Sequence, residues 1–391
     1  MKKNFIVLAL VLTCSTMFAK QPQRPNSYNY QRGVEALVEG EVATGIDYLN
    51  KELEENPKNG YALGWVAAAR ASQSEYGAAL TAVNKAMQYI PKKDVEYTSW
   101  AYSMRANIYL ELEDTVAALK DFNQAIKIDP SNEDYFESRA DILFNQGNYD
   151  EANKDYKHII SLNPGSVMGY MGLGRNLKEQ GEYEKAIPFI DSSIVLCKYN
   201  SDIELIIENY GFMAEIYDSL NILDKTDNYY QKTIKMAYDN KEYEDCGKYM
   251  YNYGLHEIRL NNIDKAIDIL KILCDSTETF RWFDICYLSC YQLSKCYAEI
   301  NDYEMAYKLF NKYDIIYDSA NKVRQKQMID KINTGHLLKL NIEELKSKEM
   351  DFANKRDNNK TRITSITIIC VLSIMLVTFI ILYSRHRILF Y

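Results

Sequence analysis

The sequence predicts an all-α protein built from consecutive helical hairpins, because helix-breaking and small residues recur along it at fixed steps. Pro57 and Pro91 are 34 residues apart, and so are Pro130 and Pro164. With each closing proline as position 32, small residues recur at position 8 (Gly33, Ala67, Ala106, Ala140 and Gly174) and at position 20 (Gly45, Ala79, Ala118, Ala152 and Ala186). Small side chains at two fixed points allow two helix backbones to approach closely in every unit.

Residues 133–164 show one complete unit of this kind. Phe136, Ala140 and Leu143 recur at helical spacing, Gly147 interrupts the pattern, and a second helical stripe follows until Pro164. This pattern resembles the tetratricopeptide repeat (TPR), whose period is 34 residues. The resemblance implies a right-handed superhelical solenoid of stacked hairpins.

The repeat pattern extends over most of the chain. Repeats 1–5 are predicted over 26–198, and TPR-like repeats 6–8 over 199–317. In the later part the first small position recurs at 40-residue steps, at Gly174, Ala214, Gly254 and Ser294. We therefore expect about eight hairpins, the last three with longer helices or connections.

The N-terminal segment has the layout of a secretory signal peptide, predicted over 1–19. Lys2 and Lys3 precede an apolar run, and Ala19 is a small residue suited to cleavage. Cys14 leaves processing as a lipoprotein open as an alternative. Residues 20–25 then form an extended lead-in.

A second apolar segment lies near the C-terminus. Residues 363–383 carry no charge, and 21 residues at about 1.5 Å each span about 30 Å, the thickness of a hydrocarbon core. We therefore predict a transmembrane helix there and a short cytoplasmic tail over 384–391. Export directed by the signal peptide would leave the repeats in the periplasm of a bacterium, on a single-pass inner-membrane protein.

Between the repeats and this span, two further segments are predicted. Residues 318–352 form an irregular helical stripe, expected to cap the solenoid as a long helix. A short coiled coil, and with it a homodimer, is the alternative for that helix. Residues 353–362 form a polar linker.

Composition and motifs argue against catalysis and against nucleic-acid binding. The net charge is −8, whereas phosphate binding requires a basic face. None of the four histidines lies in a metal-binding motif, and no nucleophile elbow or phosphate loop is present. We therefore expect no enzyme activity, no cofactor and no metal.

The cysteines leave two possibilities open. An oxidising periplasm would permit a disulfide from Cys274 to either Cys286 or Cys290, which lie one helical turn apart. Otherwise these residues, with Cys197, Cys246 and Cys296, are small apolar side chains in tight helix packing.

The TPR resemblance also implies where a ligand binds. In such arrays the first helix of each hairpin lines the concave side, with ligand contacts at its positions 2, 5, 9 and 12. In repeats 2–5 the candidates are Tyr61, Trp100, Asn107, Asp141, Met171, Arg175 and Lys178.

Within this set, Asn107, Asp141 and Arg175 share position 9 and are predicted to form a polar ladder, while Tyr61 and Trp100 could anchor an apolar side chain. Asp141 would repel a terminal carboxylate of the kind that chaperone-binding TPR domains hold. Plain solvation of these side chains is the alternative.

Two functions follow from this organisation. The favoured one is a membrane-anchored periplasmic scaffold that binds a protein or peptide partner in its concave groove. The layout is also similar to that of bacterial TPR membrane sensors with a cytoplasmic output domain, which this sequence lacks after its span. The alternative is therefore the sensor part of a transmembrane regulator, truncated or acting through a separate cytoplasmic partner.

Overall fold

A computed structural model describes residues 24–275 and 283–326 of the 391-residue chain, and these residues lie within one compact unit. The described segments are helical and contain no strand. In chain order the helices are α1 (Tyr28–Val38), α2 (Val42–Glu55), α3 (Gly60–Ser72), α4 (Tyr76–Tyr89), α5 (Val95–Glu111), α6 (Thr115–Ile128), α7 (Glu133–Asn145), α8 (Tyr149–Leu162), α9 (Val167–Glu179), α10 (Tyr183–Asn200), α11 (Ile203–Ser219), α12 (Leu223–Asp239), α13 (Tyr243–Arg259), α14 (Ile263–Asp275) and α15 (Phe283–Glu299), with a further helical run, α16, over 303–326.

Successive helices pair into eight hairpins, numbered 1 (α1 and α2) to 8 (α15 and α16). In hairpins 1–7 the two helices of a pair pack extensively on each other, and each second helix also packs on the first helix that follows it. First helices of neighbouring hairpins also contact each other; α1 contacts α3, for example, and α11 contacts α13. Within the described residues, second helices of neighbouring hairpins do not contact each other to the same extent. The first helices therefore lie on the inner side of the stack, which we call the inner face.

Every hairpin turns through a residue in the left-handed conformation. These turn residues are Gly40, Ser74, Glu113, Gly147, Gly181, Asn221, Asn261 and Asn301. Three are glycine and three are asparagine, the residue types that adopt positive φ at the lowest cost. The first helices of hairpins 2–6 then begin with side-chain caps, from Asn59, Asp94, Asn132, Ser166 and Asp202.

The small residues that define the repeat lie where the two helices of a hairpin meet. The seven alanines of the two positions, from Ala67 to Ala186, are fully buried. A Cβ on Gly174 would stand 2.4 Å from Ile190 Cδ1, and one on Gly45 would stand 2.5 Å from Leu37 Cδ2. The close approach of paired backbones, predicted from the spacing, is confirmed.

Hairpins 3 and 4 each contain the same set of arginine hydrogen bonds, and the two arginines are 34 residues apart in the sequence. Arg139 on α7 holds both carboxylate oxygens of Asp155 on α8, at 2.6 and 2.8 Å, and donates to Asn123 of the preceding hairpin. Arg105 makes the same bonds to Asp121 and to Asn84. Each arginine therefore joins the two helices of its own hairpin and ties them to the hairpin before.

The later hairpins are stabilised differently. Helices α11, α12, α13 and α15 have 17 residues each, which accounts for the 40-residue steps. A disulfide joins Cys274 at the end of α14 to Cys290 on α15, with Cα atoms 5.2 Å apart. The structure thus selects Cys290 over Cys286 as the partner of Cys274, and the four other described cysteines are buried thiols.

Several predicted segments lie outside the described residues: the signal peptide over 1–19, most of the helix over 318–352, the linker and the membrane span over 363–383. Within 24–275 and 283–326, no helix has the length and apolar character that crossing a bilayer requires.

Candidate partner-binding surface

The seven predicted contact residues differ widely in exposure. Tyr61, Trp100 and Met171 are buried, with 4–6% of their surface exposed. Asn107, Asp141, Arg175 and Lys178 are partly exposed on the first helices. The polar members are therefore the ones that a ligand on the inner face could reach in this conformation.

An aromatic cluster occupies the inner side of hairpins 2 and 3. The rings of Tyr61 and Tyr97 meet edge to face with centroids 4.7 Å apart, and Trp100 lies 5.4 Å from Tyr97. The Tyr61 hydroxyl donates to Asp94, and burial raises the pKa of Tyr61, so this phenol stays neutral. Trp100 Nε1 is buried without an acceptor among the described residues.

Helix α7 presents three carboxylates on one face, at Asp134, Glu137 and Asp141. Their spacing of three and four residues places them side by side. Burial, followed by repulsion from Asp141 and Asp134, raises the pKa of Glu137 to about 8, although Arg175 opposes the shift. Burial also raises the pKa of Asp134. No side chain among the described residues forms a hydrogen bond or ion pair with Glu137. Protonation of Glu137 is therefore the main way to reduce the repulsion among these three carboxylates.

Asp141 is balanced by the next hairpin. It accepts hydrogen bonds from Arg175 Nη2 at 2.7 Å and from the Tyr156 hydroxyl at 2.9 Å, while about half of its side chain stays exposed. The guanidinium of Arg175 lies 4.2 Å above the ring of Phe144. Two members of the predicted ladder thus pair with each other, whereas Asn107 makes no side-chain hydrogen bond within the described residues.

From hairpin 5 onward, polar side chains bridge successive first helices. Lys178 on α9 reaches Glu215 on α11 at 2.5 Å, and Glu215 in turn accepts from Asn252 on α13. Asp218 on α11 likewise binds His256 at 2.7 Å and also Arg259. These contacts border an open cleft of about 560 Å³. Its ionic groups already have partners inside the protein.

One set of three side chains has the chemistry of a metal site. The ligating atoms of Asp227, His256 and Glu257 lie within 4.8 Å of one another. The Lys265 ammonium already stands 2.6 Å from Glu257 and 3.3 Å from Asp227. Burial opposes its charge, but the contacts with Glu257 and Tyr253 prevail and raise the pKa of Lys265. The cation that balances these carboxylates is therefore a lysine.

Glu137 and Asp134 were not among the contact residues predicted from the sequence. Both lie in the register that selected Asp141, at positions 5 and 2 of the same first helix. The repeat period alone could have found them. Their altered protonation depends on burial, which the period does not report.

Comparison with known proteins identifies the repeats. Residues 99–132 match one tetratricopeptide repeat family model, and residues 137–200 match a second. DnaJ homolog subfamily C member 3 of Gallus gallus is 22% identical over 187 residues, which cover 43% of this chain and 35% of that protein. Small glutamine-rich tetratricopeptide repeat-containing protein 2 of Saccharomyces cerevisiae is 33% identical over 100 residues, which cover 25% of this chain and 29% of that protein.

Among solved structures, a signal transduction ATPase with a tetratricopeptide repeat sensor, from Pyrococcus horikoshii, superposes with a TM-score of 0.60. The match covers 84% of this chain and 54% of that one at 16% identity, which shows a shared fold. The chain spans about a third of the length of the two curated relatives. Folds of this family are typically non-catalytic and serve protein–protein interaction. The chain is a tetratricopeptide repeat protein.

Proposed function

We propose that the protein is an exported, membrane-anchored scaffold that holds a basic, extended segment of a partner protein along the inner face of hairpins 3 and 4. The repeat family supports a role in protein–protein interaction. The charge and pairing of the inner-face side chains support the choice of a basic ligand.

The observation that carries the proposal is the unpaired carboxyl of Glu137. A half-buried carboxyl with two acidic neighbours and no hydrogen-bonded cation among the described residues costs folding free energy whenever it ionises. A lysine or arginine of a ligand would supply the missing positive charge and a charge-assisted hydrogen bond. Asp134 and Asp141 lie on the same face of α7 and extend the acidic surface.

Two further side chains fit an extended peptide. Asn107, on the neighbouring first helix, has a free amide that can donate to and accept from a peptide backbone. Arg175 covers one flank of Asp141, so that a ligand's cation is directed toward Glu137.

The exported and anchored location has its own support. Residues 1–19 and 363–383 have the sequence patterns of a signal peptide and of a membrane span. The Cys274–Cys290 disulfide is of the kind that persists in oxidising compartments such as the periplasm. We accordingly place the repeats in the periplasm and the residues after the span in the cytoplasm, with dimerisation through 318–352 as an additional proposal.

The test is a titration of the full-length protein in detergent with two fluorescent decapeptides, one rich in lysine and one rich in glutamate. We expect the lysine peptide alone to bind, and to bind more tightly at pH 8.5 than at pH 6, because a ligand cation interacts best with ionised Glu137. Glu137→Gln should weaken binding at least about tenfold, since a hydrogen bond to a charged group contributes about 1.5–3 kcal/mol.

Asn107→Ala combined with Glu137→Gln should weaken binding further without unfolding the protein, because neither side chain has a described partner to lose. The matched control is Glu184→Gln, an exposed glutamate on the second helix α10, which should leave binding unchanged. Equal binding of both peptides, or equal losses in the control and the site variants, would refute the acidic inner face as the binding surface.

A further inference from the structure

The segment before α1 lies against hairpin 3, 70 residues further along the chain. Arg24 hydrogen-bonds Glu96 through Nη2, and its Nε lies 3.8 Å from an oxygen of Asp94. Its guanidinium carbon stands 4.3 Å above the ring of Tyr97, and only 16% of the Arg24 side chain is exposed. An arginine that is remote in sequence is thus held by two carboxylates and an aromatic face.

The walls of this site are fixed by the fold itself. Asp94 caps α5 by accepting from the Tyr97 backbone, and it also accepts from the Tyr61 hydroxyl, so that it stays 98% buried in place. The Tyr97 hydroxyl in turn meets Trp65 and Tyr30. We call Tyr61, Asp94, Glu96 and Tyr97 the arginine pocket.

The chemistry of the pocket suits a guanidinium better than an ammonium. A guanidinium is planar, can donate to two carboxylates at once and stacks on an aromatic ring. Two carboxylates this close, one of them buried, require a cation between them. Burial raises the pKa of Glu96 and Arg24 lowers it, so the arginine is what favours the ionised form.

The segment that carries Arg24 fills only part of the space beside it. Ser27 donates to the buried carboxylate of Glu52, which anchors the other end of the segment. An open cleft of about 850 Å³ lies beside this segment. One of its sides is lined by Arg24, Pro25 and Asn26, and its other wall includes Pro57 and Pro91. This cleft offers room for a second extended chain beside the first.

We propose that the arginine pocket is a subsite for an arginine side chain of the partner's extended segment, and that Arg24 is an internal ligand which that arginine replaces. The inference rests on the proposed function, because both sites would hold basic side chains of the same partner segment. Charge complementarity and the seating of the chain's own Arg24-Pro25-Asn26-Ser27 define the occupant as a basic, extended peptide containing arginine.

The test uses the full-length protein and the acetylated, amidated tetrapeptide Arg-Pro-Asn-Ser. Wild type should bind it weakly, because Arg24 competes at the high effective concentration of a tethered group. Arg24→Ala should bind it at least about tenfold more tightly. Glu96→Gln added to Arg24→Ala should abolish that gain, and a tetrapeptide with lysine in place of arginine should not show it.

Two controls separate the possible failures. Arg32→Ala removes an exposed arginine of α1 that pairs with Glu35, and it should change nothing. The lysine-rich decapeptide reports on Glu137 and should bind Arg24→Ala and wild type alike. If that decapeptide binds but the tetrapeptide does not, the arginine pocket is refuted while the proposed function stands.

Loss of Arg24 could also weaken folding, and a melting experiment covers that case. N-acetylarginine amide should raise the melting temperature of Arg24→Ala at millimolar concentration, whereas N-acetyllysine amide should not. If neither amide raises it, and the tetrapeptide does not bind, Arg24 merely ties down the end of the chain and the proposal is wrong.

Discussion

The inner face of hairpins 3 and 4 differs from that of hairpins 5–7 in how its polar groups are satisfied. In hairpins 5–7 the first helices are bridged in succession by Lys178–Glu215 and by Asp218 with His256 and Arg259. In hairpins 3 and 4, Asn107 and Glu137 have no described partner. A group that is already paired can bind a ligand only by giving up its partner. The unpaired groups are therefore the ones that external binding can stabilise.

The bonds that link the helices to one another also differ between these two regions. Hairpins 3 and 4 each contain an arginine–aspartate bridge between their two helices. Around hairpin 6 a buried amide takes part instead, since Asn209 donates to Ser193 and to the Leu205 carbonyl, and a disulfide joins hairpins 7 and 8. In hairpins 3 and 4 the arginines thus link helices both within a hairpin and between hairpins, whereas the links of the later region run largely between hairpins.

Breaking the Arg139–Asp155 ion pair of hairpin 4 should have the largest effect on stability. Arg139→Ala leaves the buried carboxylate of Asp155 without its cation, which should lower the free energy of unfolding by about 3–4 kcal/mol. Chemical denaturation followed by circular dichroism measures it. Arg105→Ala should match it, and the exposed Arg32→Ala should leave the free energy of unfolding nearly unchanged. Equal losses for Arg139 and Arg32 would contradict the structural role of the bridge.

Opening the disulfide should have a slightly smaller effect, confined to hairpins 7 and 8. It closes a loop with a sequence separation of 16, for which about 3 kcal/mol is expected. A reductant should lower the melting temperature of wild type and leave a Cys274→Ala, Cys290→Ala double variant unaffected. Alkylation of all cysteines in membranes that were never exposed to reductant would speak against both the disulfide and the proposed periplasmic location.

The effect of Glu137 should be the smallest when it is measured per pH unit, because a difference of one bound proton changes the free energy of unfolding by about 1.4 kcal/mol per pH unit. Its pKa in the folded protein, about 8, lies above its ordinary value of 4.5. Between these two pH values the folded state retains a proton that the unfolded state has lost, so stability falls as the pH rises through this window. Glu137→Gln should flatten that decline in melts from pH 5 to pH 9, and Glu184→Gln should not. An unchanged slope in Glu137→Gln would show that other groups, such as Asp134, set the dependence.

The repeat period predicted the helical hairpins well because backbone pairing depends on residues that recur in register. Ala140 and Ala152 mark the contact of α7 with α8 whatever the rest of the surface contains. Side-chain partners follow no such rule. Asp141 meets Arg175, and Lys178 meets Glu215, only because each hairpin is rotated against the next by a specific amount. The choice of Cys290 over Cys286 similarly depends on the rotational phase of α15.

The aromatic residues illustrate the same limit. Tyr61 and Trp100 occupy positions that face ligands in related arrays. Here the ring of Tyr97 packs against both of them, and the Tyr61 hydroxyl donates a hydrogen bond to Asp94. Tyr97 falls within the residues inserted between Pro91 and Pro130, so the period gave no information about it. Their role as anchors for an apolar side chain stays a prediction.

The docking of Arg24 on hairpin 3 has a practical consequence for work with purified protein. Any affinity tag or fusion partner attached just ahead of Arg24 would emerge beside the cleft and could obstruct it or pull the segment away. Capture assays performed with such material would then report the handle instead of the native surface. A handle inserted at Gly181, the exposed turn residue of hairpin 5 that does not line the cleft, avoids that artefact.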